Sequence, residues 1–189
     1  MSKANAPIYQ IRITLKRSKP PIWRRVLISS DTTLSKLHHI IQRAMGWYGG
    51  HMHAFRINGE EYSTPSPFAP NHLEELGMKS AEGKKLSTLI SGEGAKFTYE
   101  YDFGDDWQHE IKIEKVLPPD EKQSLPVCIK GKRACPPEDV GGVWGYDTFL
   151  EAIKDPQHEE HDDYIEWIGG DFDPEAFDLD VVNSRLRGL

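Results

Sequence analysis

The sequence predicts a single α+β domain, with a mixed β-sheet of roll or β-grasp-like type followed by a C-terminal set of short helices. Three observations carry the prediction: a strand, strand, helix, strand order at the start, a central aromatic hairpin, and a change of composition after Leu117. We expect residues 1–117 to form the sheet core. Residues 118–146 then form a Pro- and Gly-rich loop segment, and residues 147–189 an acidic helical tail packed on the core.

The first strands and helix follow from the spacing of apolar residues. Residues 9–15 alternate apolar and polar side chains, which indicates a half-buried strand, and residues 23–29 supply the second strand of a hairpin. Apolar residues then recur at helical spacing after Asp31 and Thr32, which are candidate N-caps, and Gly46 can end the helix. A third strand is expected over residues 51–57.

A second hairpin is expected in the middle of the chain. In residues 97–103 every second residue is aromatic, and after a turn at residues 104–106 the return strand places Trp107 and His109 on one face. Three short helices should follow near residues 147–154, 158–168 and 174–187. Asp173 before Pro174 is a suitable N-cap for the last of them.

The net charge of −7 is unevenly distributed along the chain. Residues 1–50 carry nine Lys or Arg against Asp31 alone, whereas the segment from Asp155 to Asp180 carries eleven acidic residues and no basic one. Such a chain can fold its acidic tail onto its own basic head, or it can offer the head to a polyanion. Both alternatives stay open at the level of sequence.

The sequence predicts a cytoplasmic protein without a membrane partner. No stretch approaches the roughly 18 apolar residues of a membrane span, and the start lacks the apolar segment of a signal peptide. The chain has two cysteines, Cys128 and Cys135, where a secreted disulfide scaffold would carry more. We interpret both as reduced thiols.

Residues that could carry chemistry are concentrated in three segments. Carboxylates and imidazoles of this kind hold divalent cations or act as general bases. The structural alternative is that Asp in a tight turn bonds its own backbone, and that a His on a strand face beside Trp packs in the core. The candidate functional cluster consists of His51, His53, Asp102, Asp105, Trp107, His109, Glu138 and Asp139.

A divalent metal is the cofactor that this cluster would hold. His51 and His53 are two residues apart, so on a strand both imidazoles would point the same way and could meet one metal ion. Together with His109 they are the predicted metal ligands. The prediction depends on whether the three segments are adjacent in the fold, which the sequence does not show.

The basic head offers a second candidate site. Lys16, Arg17, Arg24 and Arg25 surround Trp23, and cations around an aromatic ring can grip a phosphate backbone and stack a base. Against this, strand arginines often solvate a sheet face, and no helix-turn-helix or zinc-finger pattern occurs.

Five motifs give the chain a family resemblance. They are PPIWRRV at 20–26, GWYGGHMHAF at 46–55, YEYDFGDDWQHEI at 99–111, ACPPEDVGG at 134–142 and FDPEAFD at 172–178. In this order they resemble the plasmid Ri open-reading-frame-three-like family, whose members carry insertion-element passenger or resolvase-like (TnpR-like) labels. The resemblance implies an α+β fold and an association with mobile elements. Members commonly have a cysteine where Val140 stands, which weakens a thiolate metal site there.

The function that these observations favour is a non-catalytic binding module, with a protein or a nucleic acid as partner, acting through a groove between the aromatic hairpin and the loop around Glu138. The alternatives are a metal-dependent hydrolase that uses the His/Asp cluster, and nucleic-acid binding by the basic N-terminal face. Phosphate-binding loops, dinucleotide fingerprints, serine elbows and HExxH motifs are absent from the sequence. Whether the protein is an enzyme stays open.

Overall fold

The computed structural model describes residues 6–66, 69 and 71–189. Eight strands and six helices follow one another along this part of the chain. The strands are β1 (Ile8–Leu15), β2 (Ile22–Ser29), β3 (His53–Ile57), β4 (Glu60–Ser63), β5 (Lys79–Ser80), β6 (Lys96–Tyr101), β7 (Trp107–Leu117) and β8 (Val127–Lys132). The helices are α1 (Leu34–Met45), α2 (His72–Glu75), α3 (Leu86–Leu89), α4 (Gly142–Lys154), α5 (His161–Ile168) and α6 (Leu179–Leu186).

The strands form one mixed sheet in the order β5-β4-β3-β6-β7-β1-β2-β8. Every neighbouring pair is antiparallel except β4 and β5, which are parallel. The predicted strand, strand, helix, strand start and the central hairpin of β6 and β7 are both present. The α+β class with a mixed sheet is therefore confirmed.

Helix α1 packs an apolar face into the core because its buried side chains recur three and four residues apart. Leu34, Leu37 and Ile41 are completely buried. The N-cap is Thr33, whose Oγ1 accepts from the Lys36 N–H at 3.2 Å, one residue after the expected caps. Gly46 ends the helix as predicted, with the left-handed φ of 119° that favours glycine.

Several predicted boundaries differ from the structure. Strand β3 begins at His53, and β6 ends at Tyr101, so Phe103 lies in the turn and is 36% exposed. The segment 118–146, expected to be a loop, contains β8 and the start of α4. Pairing with β2 is what makes β8 a strand, and this is a tertiary effect that local composition does not report.

The last helix begins at Leu179, five residues later than expected. Asp173 accepts from the Glu175 N–H and makes a turn, whereas Asp178 caps α6 by accepting from two backbone N–H groups. Between them Phe177 packs against the Arg24 guanidinium, 4.9 Å from the ring centroid, which holds this segment outside the helix. Among the described residues, no helix is long and apolar enough to cross a membrane.

Candidate functional site

Three segments that are distant in the chain meet at one end of the central strands. His51 precedes β3, Asp102 follows β6, and Asp139 lies in the loop between β8 and α4. The Asp102 N–H donates to the Met52 carbonyl at 2.8 Å, which joins the first two segments. The fold thus supplies the adjacency on which the metal prediction depends.

His51 lies between two carboxylates. Its Nε2 is 2.9 Å from Oδ1 of Asp139, and its Nδ1 is 3.6 Å from Oδ2 of Asp102. One ligand atom from each of the three residues, which we name the His51 cluster, lies within 4.8 Å of the others. No other group of three His, Cys, Asp or Glu residues in the described part of the chain has this spacing. The His51 side chain is 38% exposed, so solvent reaches the cluster.

The backbone orients both carboxylates of the His51 cluster. Asp102 and Asp139 have φ values of 56° and 59°, in the left-handed region that Asp tolerates better than most residues. Oδ1 of Asp102 accepts from the N–H groups of Gly104 and Asp105 at 3.0 and 3.3 Å. Its Oδ2 is left to face His51. The expected turn bond to the backbone and the candidate site therefore use the same side chain.

Glu138 is held next to the His51 cluster by neutral donors. The Tyr101 hydroxyl donates to its carboxylate at 3.1 Å, and the Tyr48 N–H donates to it at 2.7 Å. Burial, followed by the charge of Glu138, raises the pKa of Tyr101 above its ordinary value, so the phenol stays protonated and remains a donor. Oε2 of Glu138 is 3.9 Å from Nε2 of His51, which makes it a third carboxylate within reach of the imidazole.

Asp105 and Trp107 support the loop that carries Asp139. Asp105 accepts from the Gly141 N–H at 3.1 Å. Trp107 is buried and packs on Trp47, whose Nε1–H donates to the Pro136 carbonyl at 3.0 Å. The hairpin turn and this loop thus contact each other directly.

The structure separates His53 from His51. His53 is 5% exposed, its ring stacks on that of His38 with centroids 3.7 Å apart, and its Nε2 is 3.3 Å from Oγ1 of Thr64. The reason is that His51 precedes β3, so the alternation of a strand does not apply to the pair. This corrects the prediction that both imidazoles meet one metal ion.

His109 is also absent from the His51 cluster. It is completely buried on β7, with its Nδ1 3.3 Å from the Tyr99 carbonyl oxygen. Its ring packs edge-on against Trp47. The environment of His109 therefore matches the alternative role, that of a residue packed in the core. Of the three predicted metal ligands, His51 alone remains.

His38 is a residue that the sequence analysis missed. It lies on the buried side of α1, directly after Leu37, and its Nδ1 is 2.8 Å from the Tyr99 hydroxyl. Its position on the apolar stripe of the helix is the only signal that would have marked it as buried. Burial lowers the pKa of His38 to about 2, and those of His53 and His109 to about 4. These three residues form a buried histidine group that is neutral at physiological pH.

Arg24, a candidate for polyanion binding, is enclosed by the fold. It is 2% exposed and donates to the carbonyl oxygens of Trp23, Ala44 and Lys132 at 2.9 to 3.0 Å. Burial lowers its pKa, and the stacked Phe177 ring covers the guanidinium. Arg24 therefore joins β2, α1 and the C-terminal segment, and it presents no cation to solvent.

The other candidate cations of the head are closer to the surface. Arg25 donates twice to Glu114, at 2.5 and 2.9 Å, and Arg17 pairs with Asp106 at 2.7 Å. Lys16 donates to the Thr98 hydroxyl at 3.2 Å. Lys3, which is also part of the basic head, lies outside the described residues.

The acidic tail contacts the head without neutralising it. Within the described ranges, no ion pair joins residues 155–180 to a Lys or Arg of the head. Glu175 pairs instead with Arg133, at 2.8 Å. Among the described cations of the head, only Arg17 and Arg25 form ion pairs, and their partners Asp106 and Glu114 belong to the central hairpin.

The chain is similar in sequence and in structure to known proteins. A family model described as plasmid pRiA4b ORF-3-like protein matches residues 7–181. The uncharacterized protein y4hQ of Sinorhizobium fredii is 37% identical over 188 residues, which cover 97% of this chain and 93% of that protein. The crystal structure of MM3350, a protein of unknown function from Methanosarcina mazei Go1, matches with a TM-score of 0.82 and 38% identity, over 92% of this chain and 96% of that one.

Proposed function

The chain belongs to the plasmid pRiA4b ORF-3-like family, and from this premise and the geometry of the His51 cluster we propose that it is a metal-dependent binding module. The module is a single cytoplasmic domain that holds a divalent cation on His51, Asp102 and Asp139. The observation that carries the proposal is that donor atoms from three distant segments lie within 4.8 Å of one another at an accessible surface.

The donor set suits a borderline or hard divalent cation. Imidazole nitrogen is a good ligand for Zn²⁺, and carboxylate oxygen for Mn²⁺ and Mg²⁺. Three protein ligands leave open coordination positions, which a water molecule or an oxygen atom of a partner can fill. One donor atom from each of the three residues already lies within 4.8 Å of the others, so a single cation can approach all three.

The surroundings of the His51 cluster favour binding. Large apolar side chains next to the His51 cluster are exposed: Met52 by 42% and Phe103 by 36%, which neighbour His51 and Asp102 in sequence, and Tyr48 by 92%, whose N–H donates to Glu138. Trp144, at the start of α4, is 78% exposed. Exposed apolar groups around a polar centre are typical of a surface that contacts a partner.

Metal titration of the purified, chelator-treated protein tests the proposal. Isothermal titration with ZnCl₂ and with MnCl₂ should show one cation per chain, and His51→Ala and Asp139→Asn should each weaken binding by at least about tenfold. His39→Ala is the matched control, because His39 is exposed and is outside the His51 cluster. The proposal fails if neither cation binds, or if the two cluster variants bind like the control. In that case His51 would be an imidazole bridging two carboxylates.

A second candidate function, metal-dependent hydrolysis, rests on Glu138. Its carboxylate is fixed by Tyr101 and Tyr48 and lies 3.9 Å from His51, where a general base could take a proton from a metal-bound water. With p-nitrophenyl phosphate and p-nitrophenyl acetate as probes, turnover should require the cation. Glu138→Gln should abolish it while cation binding persists. Turnover equal to that of the metal-free protein would exclude hydrolysis of these esters and leave the binding function.

A further inference from the structure

The sheet presents a second face, which the core does not cover. In β1 the residues Ile11, Ile13 and Leu15 are buried in the core, whereas Arg12 and Thr14, which alternate with them, are only partly buried. The same alternation in β2 buries Val26 and leaves its neighbour Arg25 partly accessible. We name this partly accessible side of β6, β7, β1, β2 and β8 the open face.

A row of five cations crosses the open face from strand to strand. In the antiparallel register Lys96 is paired with Lys112, Lys112 with Arg12, Arg12 with Arg25, and Arg25 with Lys130. Directly paired residues point to the same side of a sheet, so the five side chains share the open face. With strands about 4.8 Å apart, the row is about 19 Å long. We name it the cationic row.

Internal carboxylates neutralise only part of the cationic row. Arg25 pairs with Glu114, and Lys96 pairs with Glu110 at 3.1 Å. Within the described residues, Arg12, Lys112 and Lys130 form no ion pair. Like charges directly opposite each other destabilise a sheet, so the row does not serve the stability of the fold.

An aromatic residue and further cations adjoin the cationic row. Trp23 lies on the open face of β2, with the Arg12 guanidinium 4.3 Å and the Arg25 guanidinium 5.2 Å from its ring centroid. Lys132 is the partner of Trp23 on β8. Lys16, directly after β1, reaches the Thr98 hydroxyl of β6. The open face therefore carries an indole ring, the cationic row and two further lysines, in a chain whose net charge is −7.

We infer that the open face binds single-stranded nucleic acid, with the sugar-phosphate backbone along the cationic row. A row of cations on successive strands is complementary to a linear polyanion with evenly repeated charges. A sheet face with a partly accessible aromatic ring suits the unstacked bases of a single strand better than the closed grooves of a duplex. Of the four cations that the sequence suggested, only Arg25 belongs to this row. Strand pairing aligns four further cations with it, which the sequence did not suggest: Arg12, Lys96, Lys112 and Lys130.

Fluorescence anisotropy tests the inference on the full chain. Labelled oligothymidine and oligouridine of about 20 nucleotides should bind at low salt, and the logarithm of the association constant should fall linearly with the logarithm of the salt concentration. The double variant Arg12→Gln, Lys112→Gln should bind more weakly and reduce the salt slope by roughly 1.4, which is the value for two phosphate contacts on a single strand. Lys84→Gln, Lys122→Gln is the charge-matched control, because both lysines are exposed and lie outside the open face.

Three outcomes would overturn the inference. One is that neither oligonucleotide binds at about 50 mM salt, where phosphate contacts are strong. Another is that the double variant and the charge-matched control bind equally well. The third is that a duplex of the same length, or heparin, binds more tightly than the single strands. Circular dichroism of each variant checks folding, and the test needs no divalent cation, so it is independent of the His51 cluster.

Discussion

The contact between Gly142 and the hairpin turn controls how the His51 cluster is assembled. Gly142 begins α4 with a φ of 70°, and a Cβ at this position would lie closer than 3.0 Å to the Asp105 carbonyl oxygen. The Asp105 carbonyl carbon lies behind it at 3.3 Å. Both atoms belong to the backbone, so neither can rotate away. Gly142→Ala must therefore displace the loop of Asp139 from the turn of Asp102.

The expected cost of Gly142→Ala has two parts. A non-glycine residue in the left-handed region costs roughly 1–2 kcal/mol. Forcing a methyl group into a filled space costs roughly 1–3 kcal/mol, and a rigid backbone neighbour favours the upper end. Gly169→Ala separates the parts, because Gly169 has the same φ, 71°, with nothing within 4 Å of its added Cβ. We expect Gly142→Ala to be about 3 kcal/mol less stable than Gly169→Ala.

Thermal unfolding and cation titration measure the two consequences. In a chain of this length 3 kcal/mol corresponds to a difference in Tm of roughly 6–12 °C. Gly142→Ala should also weaken Zn²⁺ binding at the His51 cluster, whereas Gly169→Ala should bind like the wild type. Tm values for the two variants within about 2 °C of each other would refute the steric argument.

Two further predictions concern buried charge. Below about pH 6.5 the unfolded chain protonates the buried histidine group while the folded chain does not, so stability should fall by roughly 4 kcal/mol per pH unit toward pH 4. His109→Gln should reduce that slope by about a third in urea unfolding series. Arg24→Met should destabilise the fold by roughly 3 kcal/mol or more in chemical denaturation, because three buried carbonyl oxygens lose their donor. The control Arg17→Met, which breaks an exposed ion pair, should cost less than about 1 kcal/mol. A pH slope for His109→Gln equal to that of the wild type would contradict the first prediction. Equal losses of stability for Arg24→Met and Arg17→Met would contradict the second.

Local patterns were sufficient for the α+β class and for most of the elements. The alternation in β1 and the stripe of α1 record which side of each element is buried, because a side chain's direction depends on its position along a strand or helix. Gly46 could be predicted as a helix end because few other residues adopt its backbone conformation. Segments whose structure depends on a distant partner were not predictable in this way. Strand β8 requires β2, and the late start of α6 requires the contact of Phe177 with Arg24.

The sequence by itself determined which residue types could carry chemistry and named His51, Asp102 and Asp139 among eight candidates. Only the tertiary structure decided that these three meet, that His53 and His109 are buried elsewhere, and that Arg24 is covered. It also produced the cationic row, whose members lie up to 118 positions apart in the numbering, from Arg12 to Lys130. The physical reason is that side-chain direction is a local property, whereas strand register and loop contacts are set by packing between segments far apart in the chain.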